Sequence, residues 1–92
     1  MTTATRTRRP TVRQRAALRH LIAAEPGEWV RASNLLHDTG LGDEWGHRDL
    51  WQSLIRSTMS EHVEYRPGRR HHPALYRIRT DERDAVVELL DR

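Results

Sequence analysis

A chain of 92 residues points to a single domain around one modest core and leaves no room for a separate effector domain. Its 16 basic residues are all arginine, set against 13 acids for a net charge of +3. Cysteine is absent, which removes disulfide staples, thiolate nucleophiles and Cys-ligated zinc. No apolar run reaches the roughly 20 residues that span a bilayer, and no signal core follows the N-terminus, so the expected location is cytoplasmic.

Residues 1–10 are rich in Thr, Arg and Pro with almost nothing apolar, and read as a flexible basic arm carrying Arg6, Arg8 and Arg9. Residues 11–92 read as the domain. Thr11-Val12-Arg13-Gln14 fits a capping box, in which the Thr and Gln side chains satisfy backbone amides reciprocally, and so opens a first helix. Leu18, Leu21 and Ile22 give that helix its apolar stripe, and Glu25-Pro26-Gly27 ends it. Glu28-Trp29-Val30-Arg31 is a short extended stretch. A second helix fits Ala32 to Thr39, with Leu35 and Leu36 inward and Gly40 placed for a left-handed C-terminal cap.

From His47 the spacing predicts a third helix over 47–60, with Leu50, Trp51, Leu54, Ile55 and Met59 on one face. Its opposite face would carry Asp49, Gln52, Ser53, Arg56 and Ser60, preceded by His47 and Arg48. Past Glu61 the period changes from helical to alternating: Val63 and Tyr65, then Tyr76 and Ile78, frame a hairpin over 63–79 with the tip Pro67-Gly68-Arg69-Arg70-His71-His72-Pro73. A last helix over 81–92 begins with acids that complement its dipole. It carries the stripe Val86, Leu89 and Leu90, which either packs on its own domain or forms a homodimer; the dimer is the reading carried forward.

The modest total charge hides its distribution. Residues 1–24 hold six arginines and no acid, and residues 65–79 hold five, Arg66, Arg69, Arg70, Arg77 and Arg79, again with no acid. Acidic stretches separate and follow these blocks. An all-arginine habit also follows from GC-rich codons, so the position of the arginines carries more information than their number. Two basic blocks suit a polyanion-binding surface if folding brings them to one side; the alternative is that they are solvated faces. His47, His62, His71 and His72 lack the spacing of a metal site, and no nucleophile elbow or phosphate loop is present. Neither an enzyme nor a cofactor or metal is therefore expected.

The element order is helix, short strand, helix, helix, β-hairpin, C-terminal helix. On the stretches 31–41, 47–59 and 63–78 it resembles the winged helix-turn-helix DNA-binding family. The resemblance implies a mainly α fold with a small β-hairpin, the third helix in the major groove and the hairpin, or wing, on the backbone or minor groove. It implies double-stranded DNA as partner and a small transcriptional regulator as the function. The same order would also serve a protein-interaction module, a mobile-element or plasmid excision or partition factor, or an RNA-binding protein. Under this resemblance Gln52 matches adenine and Arg56 guanine by bidentate geometry. His47, Arg48, Asp49 and Ser53 complete the reading face, while Arg66, Arg69, Arg70, His71 and Arg77, with the arm arginines, make the phosphate or minor-groove contacts.

Overall fold

The Thr11 hydroxyl accepts from the Gln14 N–H at 3.1 Å, and the Gln14 side chain accepts from the Thr11 N–H at 2.9 Å, so the first helix starts where its capping box dictates. In this computed structural model, which describes residues 9–91, that helix is α1, Val12–Ala23. It is followed by β1 (Val30–Arg31), α2 (Ala32–Thr39) and α3 (His47–Leu54), then β2 (Val63–Arg66), β3 (Leu75–Ile78) and α4 (Arg83–Leu90). Short 3-10 turns precede α3, β2 and α4. Arg6 and Arg8 lie outside the described residues.

Helix α2 ends on Gly40 at φ 78°, a left-handed conformation that glycine adopts without a Cβ penalty. The 3-10 turn Leu41–Asp43 then carries the chain into Gly46, whose N–H donates to the Asp49 carboxylate at 2.9 Å and so starts α3 at His47.

The short stretch before α2 does more than bridge. Val30 and Arg31 pair antiparallel with Tyr76 and Leu75, and β3 pairs on its other side with β2, giving the sheet order β1-β3-β2. Since Val63 faces Ile78 and Tyr65 faces Tyr76, alternation puts Val30, Val63, Tyr65, Tyr76 and Ile78 on one face. That face meets the helices: Tyr76, Ile78 and Val63 join Leu18, Leu21, Leu35, Leu50, Leu54, Met59 and Val86 in one core. Burial pushes the Tyr76 phenol far above its ordinary pKa, so it stays neutral. His62 is also buried; its Nδ1 lies 2.8 Å from the Glu82 carboxylate, which ties β2 to the approach to α4.

Helices α1 and α4 clasp each other with reciprocal arginines. Arg15, near the start of α1, donates to the Leu89 and Leu90 carbonyls at the end of α4. Arg83, at the start of α4, donates to the Ile22 and Ala24 carbonyls at the end of α1, at 2.8 and 3.0 Å. Each guanidinium thus occupies carbonyls that the helix leaves without an intrahelical partner.

Three expectations change. The third helix stops at Leu54 and does not run through 60, because the Ser53 carbonyl is taken by the Ser57 hydroxyl at 2.5 Å and the Gln14 amide at 2.8 Å. Ser57 turns extended and caps a 3-10 turn over Thr58–Glu61 that delivers Met59 to the core. The last helix begins at Arg83 after a 3-10 turn over Thr80–Glu82, not at 81. Of the stripe read as a dimer surface, Val86 and Leu89 are buried in the chain's own core and Leu90 packs partly against it. That stripe is covered by its own domain; the exposed large apolar residue of α4 is Val87.

Asp38 on α2 connects the helices differently. Its carboxylate lies 3.1 Å from His37 Nδ1 and 3.3 Å from His20 Nε2 on α1. These hydrogen bonds, His37's first and His20's second, hold the carboxyl below its ordinary value. A depressed folded-state pKa stabilises the fold above the unfolded value and loses that contribution as pH falls through the folded one. Asp38→Asn should therefore make acid unfolding shallower below about pH 4, which a pH series of urea midpoints reads directly.

Candidate nucleic-acid interface

Two leucines seat α3. Leu50 and Leu54, one turn apart, are fully buried, so the helix turns His47, Arg48, Asp49 and Gln52 outward, all exposed. Arg48 and Gln52, four residues apart, share one row of that surface. Asp49 spends its carboxylate on its own helix start. Ser53 is half-buried, and Arg56 falls beyond the helix, its guanidinium 5.7 Å from the Trp51 ring centre. Of the expected reading face, the structure keeps His47, Arg48 and Gln52 together as exposed groups of one helix, and it separates Arg56 from them.

At the hairpin tip Arg69 and His72 exchange both backbone hydrogen bonds, at 2.8 and 3.0 Å, leaving Arg70 and His71 as the two turn residues. Arg69, Arg70 and His71 are all exposed. Gly68 makes this closure feasible: a Cβ there would sit 2.9 Å from the Ala74 backbone nitrogen. Arg9 is also exposed, near the start of α1.

Not every arginine of the basic blocks is available to a ligand. Arg13 pairs with Glu44, and Arg15 closes α4. Arg77 is half-buried: its Nε donates to Glu64 at 2.7 Å, its Nη1 donates to the Gly27 carbonyl at 3.0 Å, and its guanidinium lies 4.2 Å from the Trp29 ring centre. The bond from Arg77 holds the Glu64 carboxyl below the ordinary range. Arg66 lies over the same indole at 4.7 Å. Both are held on the sheet face opposite the helices, away from the turn that carries Arg70.

Sequence reading missed Trp29 as the plate under these two guanidiniums, along with the neighbouring Arg31. The signal was available in the alternation that sets Arg77 and Arg79 opposite Tyr76 and Ile78. It became interpretable only once β1 paired with β3 and put Trp29 on the same side. Among the described residues no three His, Asp or Glu side chains converge as a metal site, and no helix is long and apolar enough to cross a membrane.

No known protein family matches the chain, and neither the curated proteins nor the solved structures contain a match.

Proposed function

We propose that the chain is a winged helix-turn-helix protein that binds double-stranded DNA in a sequence-specific way and acts as a small transcriptional regulator. Helix α3 enters the major groove and the Arg69–His72 turn lies along the flanking backbone. The observation that carries this reading is the pair of exposed features raised on one small core: the α3 row of Arg48 and Gln52, and a tight turn of arginine and histidine at the end of β2 and β3. The element order is the one on which the resemblance to a winged helix rests, and it supports the same reading. Gln52 offers the amide that pairs with adenine, and Arg48 the guanidinium that pairs with guanine. Arg69 and Arg70 contribute affinity without reading sequence.

Duplex binding measured against salt tests this. Log affinity should fall linearly with log salt, by about 0.9 per phosphate neutralised. Replacing Arg69 and Arg70 by Ala should reduce that slope by about 2 and weaken all sequences alike, while Gln52→Ala should cost about 1–3 kcal/mol at particular base pairs. Duplex affinity that ignores salt, or a Gln52→Ala variant with unchanged sequence preference, would overturn the reading.

A further inference from the structure

The sheet has a second face, and it is rich in arginine. Register and alternation place Trp29 and Arg31 of the β1 segment, Leu75 and Arg77 of β3 with Arg79 just past its end, and Glu64 and Arg66 of β2 on the side opposite the helices. Four arginines there meet one carboxylate, and that carboxylate is engaged by Arg77. Trp29 borders two shallow depressions: one, toward α1 and α2, also includes Arg31 with Glu28 and Asp38, and the other includes Glu64 and Arg79. Arg31, Arg66 and Arg79 are exposed.

The occupant follows from what the indole is doing. A bare tryptophan on a basic sheet would suit the stacked bases of a single strand. Here guanidiniums at 4.2 and 4.7 Å already pack on the ring, so the face presents cations and not an open aromatic platform. Packing against Trp29 restricts the exposed Arg66, which lowers the entropic cost of contacting an anion with it, while Arg77, engaged by Glu64 and Gly27, stays part of the plate. Arg31 and Arg66 flank Leu75 on the two neighbouring strands, about 10 Å apart across the sheet, and with Arg79 just past the end of β3 they leave three exposed guanidiniums for the phosphates of one backbone. From this we infer that the outer sheet face binds the phosphate backbone of a second DNA duplex, without sequence preference, so that one chain bridges two duplex segments. The bridging rests on the proposed DNA binding by α3 and the hairpin turn; the outer-face site does not.

Bead-bound duplex that captures a free, labelled duplex in the presence of the full chain reads the bridge, and anisotropy with one short duplex reads simple binding. The Arg31→Ala/Arg79→Ala variant alters only the outer face; the Gln52→Ala/Arg69→Ala/Arg70→Ala variant alters only α3 and the turn. The parent should capture the second duplex. The outer-face variant should lose capture by about tenfold or more, as expected for two lost phosphate contacts at moderate salt, while still binding one duplex. Capture equal to the parent's, as bridging through dimers would give, overturns the inference. So does a parent that binds one duplex and captures none, or binds no duplex at all. If instead the outer-face variant loses all binding and the other variant loses none, the outer site stands and the α3 reading falls.

Discussion

Leu54→Ala should destabilise the protein by about 2–5 kcal/mol, the range for removing a large aliphatic side chain from a packed core. Urea midpoints at constant m-value would measure it. That is a large share of the roughly 5–15 kcal/mol that holds a small domain together. The site justifies the upper part of the range. Leu54 is fully buried, ends α3 and packs among residues from both layers. Helix α3 has eight residues, too few to be stable alone, and Leu50 and Leu54 are its buried anchors. A hole under its last turn therefore loosens the seat from which Arg48 and Gln52 project. A variant that still folds at low temperature should bind duplex DNA more weakly, although Leu54 itself is inaccessible to any ligand.

Arg83→Met should cost about 2–3 kcal/mol, since hydrogen bonds to a charged group are worth about 1.5–3 kcal/mol each and partial re-solvation returns some of it. Methionine keeps the aliphatic volume, so the loss isolates the two bonds to Ile22 and Ala24 at the end of α1. Arg79→Met, four residues earlier and exposed, is the control and should move stability by no more than about 0.5 kcal/mol. Thermal or urea unfolding of the pair distinguishes an arginine that supports the fold from one that faces solvent. Equal losses would mean that the helix clasp contributes nothing specific.

What could be read in the sequence was whatever is decided locally. Thr11 with Gln14, the left-handed Gly40 after Thr39, and the start of α3 at His47 each depend on neighbours within four residues, and each stands where the local chemistry put it. The end of α3 was not legible, because Met59 continues the apolar spacing even though it reaches the core from a 3-10 turn. The choice at Ser57 depends partly on Gln14, thirty-nine residues from Ser53 along the chain. The candidate site divides the same way. Of the face that periodicity gave, Asp49 and Gln52 are exposed on α3, while Ser53 is half-buried and Arg56 and Ser60 lie beyond the helix; the hairpin tip followed from its turn residues. The roles of Arg15, Arg77 and Arg83 depend on carbonyls and rings brought from distant elements, so a charge map put Arg15 in a polyanion-binding block and counted Arg77 as a ligand contact although the fold uses both itself.

The α1–α4 clasp also governs the order in which the structure can be completed. Arg15 and Leu90 are seventy-five residues apart, and β1 likewise waits for β3. Helix α1 can meet α2 early, but its C-terminal carbonyls stay uncovered until Arg83, about sixty residues further along the chain, reaches them. Contacts of such separation slow folding and discourage partial native structures. Piecemeal folding therefore gains little, and the surface proposed to meet DNA is assembled only once α4 and β3 have both docked.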